Sequence, residues 1–283
     1  MARVIDGKAI AKALRAALKG DLLQYQAPAL GLIMVGDRKD SALYVRNKNT
    51  ACCRTGIRSE NFLFDEGVSQ DTIVHKVEEL NQDPAIDGIL VQLPLPGTEL
   101  NAQQIIDRIQ PDKDVDGLHP FNAGELAMRG RYPYLIPCTA KGIMALLDEQ
   151  HTPLRGKTAV VIGRSNLVGN PVSMLLQKRD ATVILCHSKT EDLPHYVQQA
   201  DVLVAACGQP YLSALLLALD LAGDLSFLPT PSNLQALNEL LLAPGDRCQP
   251  HSFGTLGFCH HVAGCLEQAL HSVMHEAGAS QAN

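Results

Sequence analysis

Short hydrophobic segments alternate with amphipathic segments along the first part of the chain. Residues 29–35 and 86–92 are largely apolar runs that predict buried strands, and the first of them ends at a Gly-Asp pair. Residues 41–53 and 71–81 have helical spacing. Strands that alternate with helices in this way indicate βαβ units and a parallel sheet. Ligands of such sheets gather beyond the carboxyl ends of the strands, so a functional site is expected there.

A second series of the same kind follows later in the chain. Residues 139–149 predict a helix, and residues 157–162 predict a β-branched strand that enters a turn at 163–169, with helical residues from Pro171. Two further strands are predicted at 181–185 and 201–206. This order is typical of half of a nucleotide-binding fold.

The composition narrows the classes of protein that these elements can form. Of the 283 residues, 46% are hydrophobic and 19% are charged, which is globular composition. Disorder, collagen and coiled coil are excluded as descriptions of the whole chain. The 24 Lys and Arg stand against 30 Asp and Glu, a net charge of -6, so a general basic surface is missing and nucleic-acid binding is not expected.

Three features of the sequence bear on the location of the protein in the cell. Charges at residues 3, 6 and 8 interrupt the stretch where a signal peptide needs an apolar run, so export is not expected. The uncharged run 202–219 is broken by Gly208-Gln209-Pro210, which favours a strand and a turn over a membrane span. The eight cysteines contain no CxxC pair, which indicates reduced thiols in a cytoplasmic protein.

Two segments could suggest a metal site, and neither has the required pattern. The Cys and His residues within 248–265 match no standard zinc-finger spacing. The segment 114–117 begins like a calcium loop but lacks the further oxygen ligands and the distal Glu. We therefore expect no metal, and we interpret 114–117 as an Asp-Gly turn.

The turn Gly163-x-Ser165-x-x-x-Gly169 is one residue longer than the usual dinucleotide-binding fingerprint. A strand precedes it and a helix follows, which would direct backbone N–H groups and the helix dipole at a pyrophosphate. A purely structural strand-to-helix turn is the alternative. A hydrolase nucleophile elbow is excluded, because Leu167 stands where that motif needs a glycine.

The residues after the second strand of this half bear on the choice of dinucleotide. No carboxylate stands there before Glu191, although NAD is usually held by one at its ribose. Ser188 can donate a hydrogen bond to a 2′-phosphate, and Arg164 or Lys189 can offset its charge. The sequence therefore favours NADP over NAD.

Two polar features of the first half suggest chemistry. Tyr44 and Lys48 are four residues apart, on one face of the predicted helix, where their side chains can act together. Gln92 ends a predicted strand just before two prolines, a position from which it can orient a partner by hydrogen bonding. An ordinary amphipathic helix with a surface lysine is the alternative for the Tyr44 and Lys48 pair.

Five motifs, taken together and in order, closely resemble the bifunctional methylenetetrahydrofolate dehydrogenase/methenyltetrahydrofolate cyclohydrolase family. They are Ser41-x-x-Tyr44-Val45-x-x-Lys48, Val91-Gln92-Leu93-Pro94-Leu95-Pro96, Asp112-Lys113-Asp114-Val115-Asp116-Gly117, Pro137-Cys138-Thr139 and Gly163-Arg164-Ser165-x-x-Val168-Gly169-x-Pro171. The resemblance extends from residue 3 to about residue 210.

The resemblance implies an α/β fold of two domains with a cleft between them, the second domain being Rossmann-like and NAD(P)-binding. The folate-binding catalytic domain would comprise residues 1–118, with a C-terminal helix at about 262–283 packing back on it. The NADP-binding domain would comprise residues 119–261. The resemblance also implies a homodimer.

The resemblance further assigns residues to roles. Lys48 would be the central catalytic residue, Gln92 would hydrogen-bond and tune it, Tyr44 would stack on or position the folate, and Asp116 would bind the pterin. Desolvation of a lysine favours its neutral form, which suits proton exchange near neutrality. NADP would be held by a set of six residues: Gly163, Arg164, Ser165, Val168, Gly169 and Ser188.

The implied function is one-carbon folate metabolism, which supplies purine biosynthesis. The chain would be an oxidoreductase and a hydrolase: it would oxidise 5,10-methylenetetrahydrofolate to the methenyl form with NADP, and then hydrolyse that form to 10-formyltetrahydrofolate. A cyclohydrolase with an impaired dehydrogenase is one alternative. A non-catalytic folate- or nucleotide-binding protein is another.

The last quarter of the chain departs from the family. From Tyr211 onward the sequence has no Lys and a single Arg, Arg247. The family would show a proline-containing, glycine-rich loop near the end, whereas this chain has only Gly254-Thr255-Leu256-Gly257. Two explanations are open: the part of the second domain that borders the cofactor is rebuilt, or the reading frame or sequence is altered locally. In either case the dehydrogenase is the activity that this departure affects.

Overall fold

The computed structural model describes residues 5–207. These residues divide into two compact units, the first up to Leu146 and the second from Leu147. Both units are α/β structures built on parallel strands, as the sequence predicted. No helix among residues 5–207 is long and apolar enough to cross a membrane.

The first unit is a parallel sheet with helices on both faces. Its strands pair in the order β2-β1-β3. The elements, in chain order, are α1 (Gly7–Leu22), β1 (Ala29–Val35), α2 (Lys39–Thr55), β2 (Arg58–Phe64), α3 (Gln70–Gln82), β3 (Gly88–Val91), α4 (Ala102–Ile106), α5 (Pro120–Ala127) and α6 (Cys138–Glu149), which begins in this unit.

Strand β1 is the centre of this sheet, and all seven of its residues are buried. Alternate side chains point to opposite faces, so Leu32 joins the apolar cluster of α1 and α2, while Ile33 joins that of α3 and α4. A strand covered on both faces needs a continuous apolar run, which is what the sequence shows at 29–35.

The helix boundaries follow from local side chains. Asp6 Oδ1 accepts a hydrogen bond from the Ala9 N–H at 3.0 Å and so caps the start of α1. In the same way, Ser69 Oγ accepts a hydrogen bond from the Thr72 N–H at 3.2 Å and caps the start of α3. Helix α2 ends at Gly56, whose φ of 92° is left-handed and therefore favours glycine.

In the structure the segment from residue 119 to Leu146 is part of the first compact unit. Asn122, on α5, donates to the Pro111 carbonyl at 2.7 Å, and its side-chain oxygen accepts from the Leu135 N–H at 3.4 Å. Cys138 Sγ donates to the Val115 carbonyl at 3.4 Å. These contacts hold α5 and the start of α6 against the rest of the first unit.

The second unit contains a parallel sheet with the strand order β5-β4-β6. Its elements are β4 (Thr158–Ile162), α7 (Gly169–Lys178), β5 (Thr182–Cys186), α8 (Leu193–Val197) and β6 (Val202–Ala205). Buried Val160 and Ile162 pack with Cys186 and Val197, and side chains of α8 complete the cluster. The order of strand, turn, helix and strand confirms the predicted half of a nucleotide-binding fold.

The structure confirms the predicted strands and helices with small shifts at their ends. Helix α7 begins at Gly169, two residues before the expected start. Strand β2 and helices α1, α4, α5 and α8 were not predicted; in β2 the exposed and half-buried residues do not alternate strictly. The predicted C-terminal helix at 262–283 and the changed segment from Tyr211 lie outside the described residues.

Candidate active site

Lys48 and Gln92 are in direct contact in the first unit. Lys48 Nζ donates a hydrogen bond to Gln92 Oε1 at 3.1 Å. The Lys48 side chain is only 5% exposed, so its amine is largely removed from water. The amide of Gln92 is itself oriented, because its Nε2 donates to the Leu93 carbonyl at 2.7 Å. The structure thus brings together two of the four predicted catalytic residues.

The packing of α2 explains why a lysine points inward. Val45 and Cys52 are both buried and belong to the apolar cluster that faces the sheet. Lys48 stands three residues after Val45 and four before Cys52, which places it on the same helix face. This position carries the amine to the end of β3, where Gln92 N–H still pairs with the Ile33 carbonyl at 2.8 Å.

Tyr44 lies one turn before Lys48 on α2. Its side chain is 37% exposed, so it stands at the accessible border of the buried face. This is the arrangement expected of a side chain that meets a ligand while Lys48 stays covered. The shared helix face predicted for the two residues is therefore present.

Asp116 lies in a tight turn beside β3, where Asp114 forms an isolated bridge with Ile89. The Gly117 N–H donates to the Asp114 carbonyl at 2.9 Å and closes the turn. Gly117 has a φ of 64°, and a Cβ there would come within 2.7 Å of Pro137 N, so glycine is required. The structure confirms the Asp-Gly turn and leaves Asp116 half-buried.

Asp114 is a buried carboxylate that the sequence reading did not single out. It is 1% exposed, and its Oδ2 accepts from His119 N–H at 2.8 Å and from Asn122 Nδ2 at 3.1 Å. Burial raises the pKa of Asp114 to about 6, although these two hydrogen bonds act in the opposite direction. The Asp-x-Asp-Gly pattern was visible in sequence, but it did not tell which Asp is buried.

The turn after β4 has the close backbone approach that a dinucleotide site needs. Gly163 has a φ of 112°, and a Cβ there would come within 2.8 Å of the Ala206 carbonyl carbon. A Cβ on Gly169 would lie 2.9 Å from Arg164 N and would also strike the Gly163 carbonyl. The two glycines therefore let the backbone of this turn pack closely against Ala206 and against itself, which is the tight turn that a dinucleotide-binding fingerprint needs.

Ser165 takes the place of the middle glycine of the usual fingerprint. Its Oγ accepts from Val168 N–H at 3.2 Å and from Gly169 N–H at 3.5 Å, so it holds the turn against the start of α7. Val168 is the N-cap residue of that helix. Ser165 and Val168 therefore shape the turn, and the neighbouring Arg164 is exposed.

Ser188 stands just beyond β5, in an exposed position. The preceding His187 is fixed by its own loop: its N–H donates to Thr190 Oγ1 at 2.8 Å, and its Nδ1 accepts from Lys189 N–H at 3.2 Å. This loop presents Ser188 at the carboxyl end of the strand, where a Rossmann-like domain binds the adenosine ribose.

The structure thus groups the predicted residues by unit: Lys48, Gln92, Tyr44 and Asp116 in the first, and the six cofactor residues in the second. Within residues 5–207, no group of three or more His, Cys, Asp or Glu side chains is arranged to hold a metal ion. The Cys and His residues of 248–265 lie outside that range.

Two family models match the chain. Residues 5–116 match "Tetrahydrofolate dehydrogenase/cyclohydrolase, catalytic domain", and residues 137–214 match "Tetrahydrofolate dehydrogenase/cyclohydrolase, NAD(P)-binding domain". The second match ends close to the point where the resemblance in sequence fades. The predicted catalytic and folate-binding residues lie within the first match, and the six predicted cofactor residues lie within the second.

Named relatives and solved structures give the same result. The chain is 46% identical over 216 residues to bifunctional protein FolD 2 of Arabidopsis thaliana, covering 75% of this chain and 72% of the relative. It is 46% identical over 214 residues to bifunctional protein FolD 2 of Geobacter sulfurreducens, covering 74% of each. The match to the chloroplastic FolD 4 of Arabidopsis thaliana is 47% identical but spans only 59% of that longer relative.

Among solved structures, the chain superposes on Trypanosoma brucei methylenetetrahydrofolate dehydrogenase-cyclohydrolase, which was solved with NADP and an inhibitor. The TM-score is 0.80 at 31% identity, covering 98% of both chains. The Campylobacter jejuni FolD enzyme gives a TM-score of 0.75 at 30% identity, covering 93% of this chain and 97% of that one. This chain therefore belongs to the tetrahydrofolate dehydrogenase/cyclohydrolase family, a family of NAD(P)-linked enzymes of one-carbon folate metabolism.

Proposed function

We propose that this chain oxidises 5,10-methylenetetrahydrofolate with NADP and hydrolyses the resulting methenyl form to 10-formyltetrahydrofolate, with Lys48 and Gln92 as the centre of hydrolysis. The observation that carries this proposal is the buried amine of Lys48, held 3.1 Å from Gln92 Oε1 in the unit that matches the family's catalytic domain.

The geometry suits a proton carrier. Hydrolysis adds water to the methenyl carbon, releases one proton, and then breaks the bond from that carbon to N5, which takes the hydroxyl proton while the formyl group stays on N10. Lys48 Nζ accepts the released proton from the attacking water. An amine held in place beside the reacting water can serve as the general base of this step. Gln92 keeps the amine in place, since its Oε1 accepts a hydrogen bond in either charge state.

The other two residues bind the substrate in this proposal. Tyr44, at the exposed border of the α2 face, positions the folate ring system by stacking. Asp116 accepts hydrogen bonds from adjacent N–H donors of the pterin, which a carboxylate can hold in a two-pronged contact. Neither group needs to move a proton, so substitutions of both are expected to change the affinity for folate more than the proton transfer.

NADP, when bound, accepts the hydride from the methylene carbon. The residues of this chain would bind and orient it: the turn from Gly163 to Gly169 would receive the pyrophosphate at the start of α7, and Ser188 would donate to the 2′-phosphate with Arg164 as counter-charge. Hydride transfer itself depends mainly on the orientation of the two rings.

A cyclohydrolase with an impaired dehydrogenase is the second candidate. This candidate is favoured because the family match ends at residue 214. Beyond that residue the sequence has no Lys and a single Arg, Arg247. The groups assigned to hydrolysis all lie before residue 117, so this departure does not affect them.

We also propose that the protein is a cytoplasmic homodimer that supplies one-carbon units for purine biosynthesis. In the described part of the chain β2 forms an edge of the first sheet, and its Leu63 is 69% exposed. Beside it, α2 and β1 line a groove of about 610 Å³ that includes Val45 and Met34. A second copy pairing along this edge would cover both features. Light scattering on wild type and on Leu63→Glu tests this, and a wild-type monomer would exclude it.

One assay with the purified chain separates the activities. NADPH formation from 5,10-methylenetetrahydrofolate and loss of methenyl absorbance are followed in the same reaction. Both signals are expected for the bifunctional enzyme. Hydrolysis alone would establish the second candidate, and the absence of both signals from folded protein would leave only the non-catalytic binding protein.

A further inference from the structure

We infer that Asp114 is a positioning residue that holds Asp116 in the orientation needed to bind the folate pterin. This inference rests on the proposed role of Asp116 as a pterin ligand. Asp114 is not proposed to contact the substrate. It acts through hydrogen bonds to the backbone that follows Asp116.

The hydrogen bonds of Asp114 fix the backbone just beyond the residue it positions. Its carbonyl oxygen accepts from Gly117 N–H at 2.9 Å, and its carboxylate accepts from His119 N–H at 2.8 Å. One residue thus fixes the chain one position and three positions beyond Asp116. A turn closed at both of these points leaves the backbone of Asp116 little freedom.

Asn122 anchors this turn to the rest of the unit. Its Nδ2 donates to Asp114 Oδ2 at 3.1 Å and to the Pro111 carbonyl at 2.7 Å, and its side-chain oxygen accepts from Leu135 N–H at 3.4 Å. Asn122 is 1% exposed, as is Asp114. A buried and connected polar pair of this kind holds one arrangement, because any shift leaves a polar group without its partner.

The other side of the turn is tied to the strand that ends at Gln92. Ile89 N–H donates to the Lys113 carbonyl at 2.7 Å, and Val115 N–H donates to the Ile89 carbonyl at 3.4 Å. Lys113 Nζ donates to three carbonyls at the end of α3, at 2.9 to 3.2 Å. Asp116 is therefore held in register with β3, the strand that also carries Gln92 to Lys48.

The charge of Asp114 is retained against the cost of its burial. Desolvation raises the pKa of its carboxyl, and the nearby Asp116 adds to this, while His119 and Asn122 act against it. An amide of the same shape would avoid that cost, but it would accept the His119 and Asn122 hydrogen bonds more weakly. Asp114→Asn is thus a substitution that keeps the shape and loosens the turn.

The test is a double-mutant cycle between Asp114→Asn and Asp116→Asn. The dissociation constant of 5-formyltetrahydrofolate, a reduced folate that does not react, is measured by titration calorimetry, and kcat and KM are measured for methenyl hydrolysis. We expect Asp114→Asn to raise the dissociation constant and KM by about fivefold or more and to change kcat by less than about threefold. In the Asp116→Asn background the same substitution should have no further effect.

Three results would contradict the inference or its basis. Unchanged folate affinity in Asp114→Asn, with weakened affinity in Asp116→Asn, would overturn the positioning role and leave the proposed function intact. Additive effects in the double variant would also overturn it, since Asp114 would then act independently. Unchanged affinity in Asp116→Asn alone would instead remove the proposed role of Asp116.

Two control variants test whether the effect is specific to Asp114 and its hydrogen bonds. Asp107→Asn makes the same chemical change at an exposed carboxylate and should leave folate affinity unchanged. Asn122→Ala removes a donor to Asp114 and should raise KM in the same direction; it replaces Asp114→Asn in the cycle if that variant does not fold. Thermal unfolding verifies the fold of each variant, and NADP binding, which depends on the second unit, should be unchanged in all of them.

Discussion

Replacing Lys48 with methionine removes the amine at the proposed centre of hydrolysis and keeps most of the side-chain volume. The amine is the group that donates to Gln92 Oε1 at 3.1 Å, and the structure shows it only 5% exposed. A positioned acid or base typically contributes about 10²–10⁴-fold to a rate. We therefore expect Lys48→Met to lower kcat for methenyl hydrolysis by about 10² or more.

The same substitution is expected to leave the fold intact. Loss of the donor leaves Gln92 Oε1 short of one hydrogen bond, which costs about 1–3 kcal/mol when such a group is buried. Removal of a buried amine offsets part of that cost, because a methionine requires no hydration. The free energy of unfolding should change by less than about 2 kcal/mol, and NADP binding in the second unit should be unchanged.

The assay follows the loss of methenyl absorbance, with the rate in buffer alone subtracted. Lys39→Met is the matched control, since Lys39 is exposed at the start of the same helix and should hydrolyse at the wild-type rate. Calorimetry with NADP and thermal unfolding verify the fold of both variants. Wild-type hydrolysis by folded Lys48→Met would refute the assignment of Lys48 as the proton carrier.

Three further predictions concern the cofactor turn, cofactor choice and pH. Gly163→Ala should weaken NADP binding by about tenfold or more, because a Cβ there meets the Ala206 backbone; calorimetry measures this, and wild-type affinity would show that the turn has room to adjust. Ser188→Asp should weaken NADP binding by a similar factor and spare NAD, since its carboxylate repels the 2′-phosphate; equal losses for both dinucleotides would contradict the assignment of Ser188. The pKa of Asp114 is about 6 when folded against an ordinary 3.8, so the folded state takes up a proton first as the pH falls from 6 to 4. Asp114 should then add up to about 3 kcal/mol of stability over that window. Denaturant unfolding of wild type and Asp114→Asn at pH 7 and pH 4.5 measures this, and an equal pH dependence of the two would argue against it.

Local sequence patterns were sufficient where the structure depends on local geometry. The continuous apolar run at 29–35 predicted β1, because a strand buried on both faces has no polar positions. The Gly163 turn was predicted from a strand on one side and a helix on the other, and its positive φ confirms the reason for the glycine. Strand β2 was missed because its side chains are largely exposed, so hydrophobic periodicity was weak there.

Contacts between distant residues could be predicted only in part. Tyr44 and Lys48 were expected to share a helix face from their spacing, but that spacing did not predict which of them is buried. The packing of Val45 and Cys52 against the sheet decides this, since Lys48 lies between them on the buried face. The role of Asp114 escaped the sequence for the same reason, because its partner Asn122 lies on a helix whose position depends on the packing of the whole unit.

The sequence by itself determined the class of the fold, the family and the identity of the candidate residues. Those properties follow from residue types at fixed spacings, which act through local backbone geometry and through motifs in a constant order. Only the tertiary structure decided that Lys48 and Gln92, 44 residues apart, form a hydrogen bond, and that the first unit extends to Leu146. The physical reason is that strand register and helix packing, which set these contacts, depend on interactions summed over the whole unit.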